Sequence, residues 1–168
     1  VEVLWESTGA GVETSKGKLL TSVSLIDGRI HFVSTGVEGN ALVAVKDNNG
    51  TILWSWHLWF TDAPKDQLYV NSVGTFTVQD GNVGATRAEA GSGDEYKDSH
   101  GLLYQWGRKD PFKVDKFTYL TWKKSSSYSI EDVIKQPTSL SVAKGSYSSS
   151  ANWTSQNIID LWSESSKT

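Results

Sequence analysis

From Gly101 to Phe112 the chain reads Gly-Leu-Leu-Tyr-Gln-Trp-Gly-Arg-Lys-Asp-Pro-Phe, its densest mixture of aromatic and charged groups. A sugar-binding site needs a flat apolar face and a few directed polar groups. Tyr104, Trp106, Arg108 and Asp110, together with Trp59 from an earlier segment, supply both kinds and are the candidate ligand-binding residues. In an extended backbone Tyr104, Trp106 and Arg108 share one side and Gln105 faces the other. The same residues satisfy a plainer arrangement, in which the two rings pack a core while Arg108 and Asp110 pair or cap the turn at Pro111.

A second group of chemistry-bearing residues is Asp94, Glu95 and Asp98, set in a Gly-rich loop with Ser92 and Ser99. Oxygen ligands on such a loop hold Ca²⁺, and these three acids are the candidate ligands. Their spacing is not that of an EF-hand, and acidic loops are common on any surface. The default expectation is therefore a solvated loop, with no metal and no cofactor. The three histidines are His31, His57 and His100. The first two fall in strand patterns, where a half-buried, hydrogen-bonded ring is the ordinary outcome; His100 falls in a polar loop and is expected to be solvated.

Nucleophile-elbow, phosphate-loop and His-Glu zinc patterns are missing from the sequence. There is no cysteine, which excludes disulfides, thiolate catalysis and cysteine–zinc sites. These residues point away from an enzyme. Sixteen basic residues against nineteen acidic ones leave a formal charge of −3, and the basic residues are scattered. That excludes the basic stripe of a nucleic-acid partner. No apolar run approaches the roughly 18 residues that span a membrane. The sequence begins at Val1 and contains no methionine, so it is read as a processed product or an excised piece.

The elements that must position these residues are mostly strands. Ala41–Val45, the turn formers Asp47-Asn48-Asn49-Gly50, and the aromatic run Thr51–Phe60 predict a β-hairpin. Alternation puts Ile52, Trp54, Trp56, Leu58 and Phe60 on one face and Leu53, Ser55, His57 and Trp59 on the other. With one face apolar and the second mostly so, the aromatic run is expected to be a central strand covered on both sides. Val1–Glu6 predicts a first strand, and Gly9–Lys18 a loop of small residues. Asp27-Gly28 between Leu19–Ile26 and Arg29–Val33 is a strong hairpin signal. Gln67–Val70 and Thr75–Gln79 flank Asn71–Gly74, and Phe117–Trp122 is a further strand candidate. Ser129–Gln136, with a capping serine, early acids and Pro137 as a stop, predicts a short helix. Ser155–Trp162 predicts a second. Ten serines between Ser125 and Ser150 mark a flexible excursion. Eight tryptophans are mostly expected in cores and interfaces, with one or two available to stack on a sugar ring.

Three blocks carry a resemblance. Gly39–Asp47 followed by Gly50–His57, the short Asn82-Val83-Gly84-Ala85-Thr86, and Gly101–Phe112 resemble, in order and spacing, a surface-protein domain. It occurs in fimbrillin-like and FISUMP-like proteins of anaerobic gut bacteria of the Bacteroidetes group. The resemblance implies an exported lipoprotein or pilus-associated protein on the outer cell surface, with a C-terminal half similar to C-type-lectin-like folds. Such domains continue past the segment matching Asp160–Thr168, so the lectin-like part is expected to be incomplete here. Pattern and resemblance together predict a mainly β chain. Residues 1–62 are expected to form an antiparallel, sandwich-like lobe. Residues 63–168 are expected to form a β-rich, incomplete C-type-lectin-like lobe with one or two short helices. The expected role is a non-enzymatic cell-surface or pilus-associated adhesion module contacting other surface or pilus proteins. The alternative is a carbohydrate-binding module for host or dietary glycans.

Overall fold

A computed structural model of the chain describes residues 1–8, 12–89, 98–104, 108–113, 121–125 and 130–143. The chain is mainly β, as expected from its alternation: the described residues form ten strands and one helix. The predicted helix at Ser155–Trp162 and residues 117–120 of the predicted strand lie outside the described residues.

The main sheet is antiparallel and contains β1 (Glu2–Thr8), β2 (Val12–Thr14), β5 (Gly39–Lys46) and β6 (Ile52–Phe60) in the order β2-β1-β5-β6. Strand β2 falls inside the stretch expected to be a loop. The turn between β5 and β6 is built from its own side chain: Asp47 Oδ1 accepts the Asn49 and Thr51 amides at 2.9 and 2.8 Å. Gly50 supplies the positive φ of 84°.

One expectation is corrected. The buried central strand is β5, whose residues Gly39 to Ala44 are all buried, whereas β6 is the last strand of the sheet. Two features of the backbone decide this. A bulge in β6 pairs Val45 with Trp54 but Lys46 with Ile52, leaving Leu53 as the extra residue. Ile52 is thereby turned to the face opposite Trp54, while Leu53 and Trp54 stay exposed. In β5, by contrast, Gly39, Ala41 and Ala44 are small enough to admit large neighbours from both sides. At Gly39 (φ 151°) a Cβ would lie 2.2 Å from the Ser7 carbonyl oxygen, so only glycine lets β1 and β5 approach there.

One face of the sheet is covered by the hairpin β3 (Leu20–Ile26) and β4 (Arg29–Ser34). Asp27 and Gly28 both take positive φ, 50° and 73°, as a two-residue hairpin turn of the favoured twist demands. Leu19, Leu20, Ala41 and Val43 form the buried core of this side, with Val23, Ile30, Trp56, Leu58 and Phe60 around it. Phe32 meets Phe60 edge-on at 5.8 Å. Full burial of a side chain such as Leu19 or Val43 is worth about 1.5–3 kcal/mol. Glu6 sits in the same layer with no exposed surface. Its carboxylate accepts the amides of Gly17, Leu19 and Leu20 at 3.2, 2.8 and 3.3 Å, and so fixes where β3 begins.

The other face carries Trp5, Leu42 and the incoming Leu102. Beyond the main sheet, β7 (Asp66–Val70) and β8 (Thr75–Gln79) form a separate antiparallel pair. The helix α1 (Ile130–Lys135) matches its prediction and buries Val133. It connects β9 (Thr121–Ser125) to β10 (Ser139–Ala143), which run parallel. The stretch read as a flexible serine-rich excursion thus contains a helix and a paired strand. Serine alternates with Leu140 and Val142 in β10, the period-two pattern of a strand, and a count of serines hides it.

Candidate functional site

Two strands bring the chemistry of the second face together. Along β6 the side chains of Ser55, His57 and Trp59 share that face, and Asn40, the second residue of β5, lies opposite Trp59. Asn40, Ser55 and Trp59 each hold part of the chain that follows the β7–β8 hairpin, and His57 bonds Asn40. Asn40 donates from Nδ2 to the Gly84 carbonyl at 2.8 Å. With its amide nitrogen so engaged, its Oδ1 faces His57 Nε2 at 2.9 Å as an acceptor. His57 therefore carries its proton on Nε2. Trp59 donates from Nε1 to the Ala85 carbonyl at 2.7 Å. The turn that receives these bonds needs Gly84 (φ 87°), where a Cβ would lie 2.7 Å from Leu102 Cγ.

Asp110 is buried, and its Oδ2 accepts from Ser55 Oγ at 2.5 Å and from Lys109 Nζ at 2.7 Å. Lys109 Nζ also donates to the Ser55 carbonyl at 2.6 Å and lies 4.6 Å from the centre of the Trp54 ring. Burial lowers the Lys109 pKa, and the hydrogen bond to Asp110 opposes that shift. Burial also lowers the His57 pKa to about 4, against the pull of the Asp110 carboxylate. Both groups are held for their bonds. Replacing Asp110 with alanine takes the buried carboxylate from the Lys109 ammonium and the Ser55 hydroxyl, leaving them hydrogen-bonded only to each other and to the Ser55 carbonyl. We expect a loss of about 2 kcal/mol, read as a lower urea midpoint, with Asp110→Asn recovering part of it.

The candidate ligand-binding residues are therefore separated. Arg108 and Asp110 are buried: Arg108 donates to the Gln136 carbonyl at 2.7 Å and stacks 5.1 Å over Phe112, and Asp110 anchors β6. Both are engaged within the chain, but with Gln136, Ser55 and Lys109, and not with each other or as a cap of the Pro111 turn, as the plainer arrangement read from the sequence had it. Tyr104 is 43% exposed, whereas that arrangement had its ring packing a core. Trp106 lies outside the described residues, as do Asp94 and Glu95 of the calcium candidates. Asp98 accepts the Thr86 amide through its backbone carbonyl at 3.0 Å. His57 is half-buried and His100 exposed, as expected, but His31 is exposed instead of half-buried.

Trp59 is half-buried. It forms a wall of a groove of about 290 Å³ that runs between residues 61–65, residues 80–82 and residues 85–89. The groove lies at the foot of the β7–β8 hairpin, which Lys65 and Asp80 close. The Asp80 amide donates to the Lys65 carbonyl at 3.0 Å, and the Lys65 amide to Asp80 Oδ1 at 3.1 Å. At the far end Asn71 Oδ1 accepts the Val73 and Gly74 amides.

Every residue of β7 and β8 is exposed. Tyr69 stands opposite Phe76, with Val78 on the same face, and Leu68 and Val70 are on the other. Leu68 is 70% and Val70 66% exposed. The strand signals were legible, but their bare faces were not, because exposure of a hairpin depends on what packs against it. Asn40 and Ser55 were missed too. A polar residue inside an otherwise apolar strand was the available sign. Compared with known proteins, the chain matches no family model, no curated protein and no solved structure.

Proposed function

We propose that the chain is a non-enzymatic interaction module of an outer cell surface or pilus, working by protein–protein contact through the β7–β8 hairpin. The observation that carries the reading is the exposure of Leu68, Tyr69, Val70, Phe76 and Val78 on both faces of a two-stranded ribbon. Such a ribbon is marginal alone in water, and contiguous exposed apolar surface marks an interaction site. Its strand edges offer backbone donors and acceptors to an added strand, a mode of recognition used between surface proteins. The resemblance of the Gly39–His57, Asn82–Thr86 and Gly101–Phe112 blocks to fimbrillin-like and FISUMP-like domains supports the location.

The test is adhesion of cells displaying the chain. Leu68→Ser combined with Val70→Ser is expected to abolish most binding to surface-protein partners without lowering the thermal midpoint, because both side chains are exposed. Full adhesion by the double variant, or recovery of the native protein from the cytoplasm only, would sink the reading. A second reading, as a carbohydrate-binding module, is favoured by one observation: Trp59 walls an open groove bordered by charged side chains.

A further inference from the structure

We infer that the groove at Trp59 is a subsite for an uncharged pyranose ring, with the indole as its stacking face. This rests on the carbohydrate reading and specifies its site and ligand class. The hydrogen bond from Trp59 Nε1 to the Ala85 carbonyl uses the one polar atom of the side chain and fixes the ring in its orientation. What Trp59 offers the groove is therefore carbon surface, held rigid before any ligand arrives. The C–H bonds on one face of a pyranose carry slight positive charge and meet the negative face of an indole.

Around this wall the groove has acceptors in Asp62, Asp80 and Glu89 and cationic donors in Lys65 and Arg87. Sugar hydroxyls both donate and accept, so a rim of both kinds suits them. Among the described lining residues three carboxylates stand against two cations, a balance that disfavours phosphates, uronates and sialic acids. The volume of about 290 Å³ is at the small end of ligand pockets, enough for roughly one ring and part of the next. Within the handful of lining segments, Trp59 comes from the main sheet while Asp62, Lys65 and Asp80 belong to the foot of the hairpin. The site is thus assembled where the two units meet.

The experiment is ¹H–¹⁵N NMR on the full chain, titrated with glucose-, mannose-, galactose- and N-acetylglucosamine-based trisaccharides and with a sialylated and a uronic-acid trisaccharide. At least one neutral sugar is expected to shift the Trp59 indole signal, and saturation transfer is expected to reach its ring C–H protons. Trp59→Ala is expected to weaken binding about tenfold or more. Asp62→Ala, on the exposed rim, is expected to weaken it severalfold with the fold intact, which covers the case in which Trp59→Ala unfolds. Sugar binding that leaves the Trp59 signal unmoved would overturn this site while the carbohydrate reading stands. Binding of only the acidic sugars would overturn the ligand class. Silence across the whole panel would overturn both.

Discussion

Replacing Glu6 with alanine is expected to destabilise the chain by about 3–5 kcal/mol, more than any surface substitution. The carboxylate is fully buried and holds three backbone amides, two of which, on Leu19 and Leu20, lie in the core layer themselves. Gly17 is exposed, so its amide regains water when the acceptor goes. The other two cannot, and each orphaned buried donor costs about 1–3 kcal/mol, with the cavity left by the side chain added to that. Glu6→Gln keeps the shape and one acceptor oxygen but turns an NH₂ toward the remaining donor. A loss of about 2 kcal/mol is expected for it. In a thermal melt the alanine variant should fall by roughly 10 °C. Equal stability of wild type and Glu6→Ala would mean that water enters the layer freely, against the packing described.

The second large effect is acid sensitivity set by His57. Its pKa is lowered from 6.5 to about 4 in the folded chain, burial being the larger cause and Asp110 the opposing one. The ring donates to Asn40 and lies 6.4 Å from Trp5. Between these two values the unfolded chain binds a proton that the folded chain refuses. Stability contributed by the neutral ring is therefore complete above about pH 6.5 and is lost as pH falls toward about 4. The full loss is about 3 kcal/mol. Urea midpoints measured at pH 7, 5.5 and 4 should decline across this window for wild type. In His57→Gln, which retains an amide donor for Asn40 but cannot take up a proton, the decline should be shallower. Identical slopes would remove His57 as the cause.

The hairpins were readable because their turns are local chemistry. Asp27-Gly28, Asp47–Gly50 and Asn71–Gly74 each contain the residue types whose backbone angles or side-chain acceptors close the turn. The helix at Ile130–Lys135 was readable for the same reason, from its early acids and the proline after it. The order of strands was not. Which of β5 and β6 lies inside depends on bulges at Leu4 and Leu53 and on a hairpin from residues 20–34 folding back over the sheet. Alternation along one strand carries no record of either. Of the candidate site, Trp59 could be found from its type and its place in a strand. Its neighbours in the groove could not, since Asp62, Lys65 and Glu89 come from segments that only the fold brings beside Trp59. Asp110 was visible as a charged group, but its role as an anchor for Ser55, fifty-five residues away, is a product of the fold.

The two-stranded ribbon of β7 and β8 is hydrogen-bonded to itself; residues 61–65 join it in sequence to β6, and Asp80–Asn82 leads on to the turn at Gly84 that Asn40 holds. In the language of native-state hydrogen exchange the ribbon is expected to behave as a separate foldon. Its amides should exchange through opening of the ribbon alone, whereas those of β5, paired on both sides and buried from Gly39 to Ala44, should wait for global unfolding. Mechanical or evolutionary change in the ribbon is correspondingly decoupled from the core. Its residues can be rewritten, or one of its strands exchanged, while β1, β5 and β6 keep their register.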